Sequence, residues 1–136
     1  MILVDTCVLS LVLRKKNLEV REEEQIFFFR QMITEDWPLA IPGIVFQEIL
    51  SGIKSEKEFQ KMEEFLEAFP IIFADKKDHT LAARIRNTCL SKGIAASATD
   101  SLIAALTLNR SAKLYTFDKD FNLLSKHFPL VLFRYA

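Results

Sequence analysis

Four acidic residues in this chain could do chemistry together. Asp5 directly follows Ile2-Leu3-Val4, and Asp118 follows Leu114-Tyr115-Thr116-Phe117. Both runs are short and rich in branched or aromatic residues, the signature of a buried strand. In an open parallel sheet, ligands bind outside the carboxyl ends of the strands. Two carboxylates at one such edge could share a cation. Glu48 lies within Ile44–Gly52, a helical stretch. Counting about 100° per residue from Ile44, its apolar arc takes Val45, Ile49, Ile53, Phe46 and Leu50. Glu48 falls between Ile44 and Val45 at the border of that arc, which predicts a carboxylate partly taken from water. Asp100 sits at the start of a helix of small apolar residues, opened by Thr99 or Asp100 and running to Asn109.

Each acid alone has an ordinary explanation. Aspartate is favoured at turns and helix N-caps, where it meets the positive end of the macrodipole, and Glu48 could sit on an exposed rim. Gathered at one sheet edge, however, unpaired carboxylates would repel and raise each other's pKa. A divalent cation relieves that repulsion. Mg²⁺ or Mn²⁺ suits a few oxygen donors plus water, and the chemistry it brings is activation of water and stabilisation of a transferring phosphoryl group. Zinc is not expected, because His79 and His127 have no partners at ligand spacing. Nothing resembles a Ser-His-Asp set, and three scattered glycines make no phosphate loop.

The elements that must position these acids follow from pattern. Strands are predicted at Ile2–Val4, Leu39–Ile41, Ile71–Ala74, Lys113–Phe117 and Leu130–Phe133, and helices at Val8–Leu13, Arg21–Glu35, Ile44–Gly52, Ser55–Phe69, Lys77–Lys92, from Thr99 or Asp100 to Asn109, and from Asp118 to Lys126. Ser55 with Glu58 forms a capping-box signature, while Pro38, Pro70 and Gly93 break or stop elements. Strands alternating with amphipathic helices imply an α/β fold with a mainly parallel sheet of four to five strands. Phe27, Phe28 and Phe29 cannot all face one core, since successive helical positions point about 100° apart.

The 136 residues fit a single domain, 1–136, with no repeat or linker. Eighteen basic and eighteen acidic residues give a net charge of zero. No global basic field marks a nucleic-acid binder, though a local patch would not show in that sum. No apolar run approaches a membrane span, the opening MILVD turns acidic too soon for a leader, and two cysteines without CxxC spacing suit a reducing compartment. The expected location is cytoplasmic.

Four segments resemble the PIN-domain nucleases, and within them the VapC-type toxins of toxin–antitoxin pairs. They are the opening strand with Asp5-Thr6, Ile44-Val45-Phe46-Gln47-Glu48-Ile49-Leu50-Ser51-Gly52, Thr99-Asp100-Ser101-Leu102-Ile103-Ala104-Ala105 with Arg84-Ile85-Arg86 and Gly93-Ile94 before it, and Thr116-Phe117-Asp118-Lys119-Asp120-Phe121. Their order and spacing cover nearly the whole chain. The resemblance implies a PIN-like three-layer α/β/α fold and hydrolysis of RNA phosphodiesters with Mg²⁺ or Mn²⁺. It makes Asp5, Glu48, Asp100 and Asp118 the metal-binding acids, with Thr6, Thr116 and Asp120 in support. It also implies an antitoxin lying in a groove of the early helices, and a homodimer. Cys7 departs from the pattern, standing where many relatives have Asn or Ser, and reads as a small buried hydrophobe. Arg14, Lys15, Lys16, Arg84 and Arg86 are candidates for holding a transfer- or ribosomal-RNA loop.

Two other classes compete. A receiver-like signalling domain needs paired acids after its first strand and a late lysine, whereas Asp5 stands alone and the late strand ends in Asp118. A haloacid-dehalogenase-type phosphatase needs an acid where Cys7 sits. A non-catalytic PIN-like binding module would keep the fold without the cleavage.

Overall fold

The computed structural model describes residues 1–14 and 16–134. Five strands make one sheet: β1 (Ile2–Val4), β2 (Leu39–Pro42), β3 (Ile71–Ile72), β4 (Lys113–Tyr115) and β5 (Leu132–Phe133). Their spatial order is β3-β2-β1-β4-β5, and every pairing is parallel. Among the described residues seven helices, α1 (Thr6–Leu13), α2 (Val20–Thr34), α3 (Gly43–Leu50), α4 (Glu56–Glu67), α5 (Lys76–Ser91), α6 (Ala98–Asn109) and α7 (Lys119–His127), complete a three-layer α/β/α sandwich.

The central strand is continuously apolar because both of its faces are covered. Leu3, Val4, Ile41 and Leu114 are wholly buried, and each such side chain contributes about 1.5–3 kcal/mol. In α2, Phe29 is buried against Tyr115 and Phe69, Phe28 is half-buried, and Phe27 points out with 71% of its surface exposed. The apolar run therefore splits between core and surface, as helical geometry demands. Gly93, at φ 68°, ends α5 in the left-handed region. No helix among the described residues is long and apolar enough to cross a membrane.

Several boundaries differ from expectation. Helix α1 begins at Thr6 rather than Val8, since Asp5 is already its cap. Strand β4 ends at Tyr115, because Thr116 and Phe117 turn their hydrogen bonds toward β1's end instead of a neighbouring strand. The edge strands β3 and β5 are each two residues long, shorter than predicted. Helix α6 starts at Ala98, ahead of Asp100, because Ser97 caps it.

Candidate active site

The strand order reverses its growth between β1 and β4: the chain builds β2 and β3 on one side of β1, then β4 and β5 on the other. A crevice opens at such a switch point, outside the carboxyl ends of the two strands. Asp5 leaves β1 there and Asp118 leaves the end of β4. Helices α3 and α6 bring Glu48 and Asp100 to the same place. Together the four acids line one cavity of about 360 Å³, with Thr6, Cys7, Ser97, Thr99 and Ile103.

Asp5 is the most constrained of them, at 6% exposure. Its Oδ1 accepts the Thr6 N–H at 2.8 Å, which caps α1, and its Oδ2 accepts the Thr116 hydroxyl at 2.8 Å. The Cys7 thiol also donates to Oδ2, at 3.4 Å, and itself accepts the Phe117 N–H at 3.2 Å. Burial, and next the charge of Asp5, push that thiol's pKa up, so it stays protonated and able to donate. Cys7 is therefore a half-buried hydrogen-bonding link between the ends of β1 and β4, not the simple buried hydrophobe its type suggested.

Asp118 caps α7, its Oδ1 accepting the Asp120 N–H at 2.9 Å, while its own N–H goes to Thr116 Oγ1 at 3.0 Å. Asp100 is not a cap. Ser97 Oγ accepts the Asp100 N–H at 3.0 Å, leaving the Asp100 carboxylate in the first turn of α6 facing the cavity. Its pKa is raised by burial first, with the charges of Asp118, Asp5 and Asp120 adding to it. Glu48 is exposed rather than partly shielded: its position on α3 puts it on the cavity rim, where the Thr6 hydroxyl donates to it at 3.3 Å. The apolar arc of a lone helix could not show that this position opens onto the cavity and solvent. Asp120 is exposed and outside the cavity lining.

Among the described residues none of the four acids forms an ion pair, and the two that exist are Arg14–Glu22 and Arg110–Asp78. Nor do any three His, Cys, Asp or Glu side chains converge as a ready-made metal cluster. The carboxylates ring the cavity without meeting. The donor set still suits a hard divalent cation: oxygen ligands from four carboxylates, no neutralising base among the described residues, and in Asp100 a carboxyl made more basic first by burial and then by its like-charged neighbours.

The basic candidates separate. Arg14 lies exposed at the end of α1, ion-paired to Glu22. Arg84 and Arg86 are exposed on α5, and Arg86 is held by the Ala96 carbonyl at 3.3 Å. None of the three lines the acidic cavity. Lys16 is exposed, and Lys15 lies outside the described residues. Sequence reading missed Ser97, although Ser-x-x-Asp is a recognisable capping spacing.

The fold is shared with solved structures. FitAcB from Neisseria gonorrhoeae superposes with a TM-score of 0.76 at 24% identity, covering 98% of this chain and 97% of that one. VapBC2 from Rickettsia felis, bound to a DNA fragment from its promoter, gives 0.74 at 21% identity with 100% of both chains covered. A toxin–antitoxin complex from Klebsiella pneumoniae gives 0.67 at 21%, covering 89% and 90%. No curated protein sequence matches the chain significantly. The PIN-domain family profile matches residues 2–126, and the chain belongs to the PIN-domain family.

Proposed function

We infer that the chain is a metal-dependent endoribonuclease and the toxin of a toxin–antitoxin pair. The observation that carries this reading is the single cavity at the β1/β4 switch point lined by four carboxylates from four elements, none with a cationic partner among the described residues. Family membership agrees with it.

Asp5, Asp100 and Asp118 are the groups to hold Mg²⁺ or Mn²⁺ directly, with Glu48 reaching in from the rim directly or through water. When bound, that ion supplies Lewis-acid activation of water and neutralises charge on the phosphodiester. The chain's own part is orientation. Thr116, Cys7 and the Thr6 amide fix both oxygens of Asp5, and Ser97 fixes the turn that aims Asp100. Groups that orient a ligating carboxylate commonly matter 10–100-fold to metal affinity, by rough rule.

An antitoxin partner is supported by a cleft of about 600 Å³ between α1, α2 and α4, lined by Val12, Leu18, Ile26, Phe27, Ile33 and Phe65. Phe27 and Ile33 are 71% and 40% exposed there. Similar structures include a toxin–antitoxin complex. The same reading takes the chain as one domain working in the cytoplasm as a homodimer.

The deciding experiment is cleavage of total RNA by purified protein with Mg²⁺, Mn²⁺ or EDTA, beside Asp5→Asn and Asp100→Asn. Metal-dependent cleavage lost in both variants supports the reading. Folded, inhibitor-free protein that cuts nothing under any metal would instead favour a non-catalytic PIN-like binding module.

A further inference from the structure

Beside the acidic cavity lies a second, open cleft of about 730 Å³, and the two share Cys7 as a wall. Thr116, whose hydroxyl holds Asp5, lines the cleft as well. Three arginines converge on it from separate elements: Arg14 at the end of α1, Arg21 in the first turn of α2, and Arg134 just after β5. Because β5 runs parallel to β4, Arg134 leaves the sheet at the same edge as the acids.

The charges in this cleft do not cancel. Among the described residues Glu22 is the one carboxylate lining it, and it pairs with Arg14. Arg134 donates to the neutral amide of Asn122, and Arg21, exposed, has no ion pair among the described residues. A chain of zero net charge thus concentrates guanidinium groups directly beside its concentrated carboxylates. Four acids alone would repel a polyanion, so a nucleic acid reaching them needs positive charge on its flank. Guanidinium suits that task through bidentate contact with phosphate. Phe117, half-buried in the cleft wall next to the acids, adds an aromatic surface of the kind that single-stranded bases use.

We propose that this cleft seats the single-stranded RNA backbone flanking the scissile phosphate, with Arg21 and Arg134 as its phosphate contacts and Glu22 as a brake that holds Arg14 back. The assignment rests on the ribonuclease reading and gives it a direction: the strand passes from the arginines over Cys7 and Phe117 to the acids.

The test is fluorescence anisotropy of a labelled mixed-sequence 12-nucleotide RNA in EDTA, where nothing is cut, across a salt series. Arg21→Gln and Arg134→Gln should each weaken binding several-fold at 50 mM salt. Each should also flatten the slope of log affinity against log salt by about 0.7, the share of one single-strand phosphate contact. Glu22→Gln keeps the acceptor that serves the α2 capping box and should tighten binding about threefold, the scale of one removed exposed charge. That gain cannot come from misfolding. Equal losses in Arg84→Gln, outside the cleft, would reveal a bulk charge effect and overturn the assignment. So would wild-type protein that does not bind the RNA, or arginine variants that bind RNA normally yet lose a protein partner. If total-RNA cleavage still depends on Asp5 in any of those cases, the nuclease reading stands and only the cleft falls.

Discussion

Thr116 Oγ1 donates to Asp5 Oδ2 at 2.8 Å and accepts the Asp118 N–H at 3.0 Å. A hydroxyl has one proton to give and lone pairs to spare. Thr116 therefore serves two acids in opposite senses, one as donor and one as acceptor. Through it, the end of β1 and the end of β4 hold a fixed relation although Asp5 and Thr116 are 111 positions apart in sequence.

Thr116→Val keeps the shape and removes the hydroxyl. It leaves the buried Asp5 Oδ2 with the weak thiol donor alone and strips the Asp118 amide of its acceptor. Unfolding free energy in urea should fall by about 1–3 kcal/mol. Mn²⁺ affinity, titrated by calorimetry, should fall about tenfold, and Thr116→Ser should restore both. Undiminished Mn²⁺ affinity in the valine variant would mean that Cys7 and the Thr6 amide orient Asp5 without help.

Asp100→Asn should separate stability from function. Its carboxyl is made more basic by burial and by Asp118, Asp5 and Asp120 nearby, so the metal-free protein carries repulsion that the amide relieves. At this half-exposed position solvent screening keeps the gain small, roughly 0.5 kcal/mol, or about 2 °C in Tm. In EDTA the variant should melt higher than wild type. With added Mn²⁺ the order should reverse, because only wild type gains from ligand binding. A variant that melts lower in EDTA would show that Asp100 has a structural role instead.

Much of this site is legible in the sequence, for a physical reason. Asp5 and Asp118 terminate apolar strands, and chain direction in a parallel sheet puts both ends at one edge. What could not be read depended on contacts distant in sequence. Glu48's exposure reflects its place on the rim of a cavity built by elements distant in sequence, which no helical arc contains. Cys7 looked like a hydrophobe because its hydrogen bonds reach Thr116 and Phe117, across a sheet pairing the sequence does not spell out. Asp100's place at the third position of α6 was visible in Ser97-x-x-Asp100, but the apolar run after it drew the helix start too late. Arg21 and Arg134 gave no local signal, since only the fold brings a helix start and the last strand's end together.

On the toxin–antitoxin reading, Phe27→Asp should leave the chain folded but unable to hold a protein partner on α2. The ring is 71% exposed on α2, so its loss costs little core. It does stand among the apolar residues of the cleft with Ile33 and Phe65, where the charged lining is Arg14, Glu23 and Arg30, and a new charge there must be desolvated when a partner's apolar face docks. Co-purification with a co-expressed antitoxin that wild type retains should fail, while the far-ultraviolet circular dichroism and Tm stay near wild type. Full retention of that partner would show that the Phe27 cleft is not its docking surface.

Asp78 carries a prediction remote from the acids. It is 1% exposed, and Arg110 binds it through both terminal nitrogens at 2.9 and 3.0 Å, with Asn109 Nδ2 at 2.9 Å and the Asp75 amide at 2.9 Å. The Arg110 hydrogen bonds foremost hold its pKa far below the ordinary carboxylate value. A depressed native pKa means that the unfolded chain binds the proton more readily. The pair's stabilisation is therefore complete above about pH 4, the unfolded carboxylate value, and drains away as pH falls below it. Asp78→Ala should cost about 3 kcal/mol at pH 7, because Arg110 is left without its counter-charge at the junction of α5 and α6. The penalty should shrink steadily on acidification, as wild type loses what the variant never had. Urea unfolding of both proteins from pH 7 to pH 2 measures this directly. Parallel curves over that range would show that Asp78 acts through shape and capping, with its charge contributing nothing to stability.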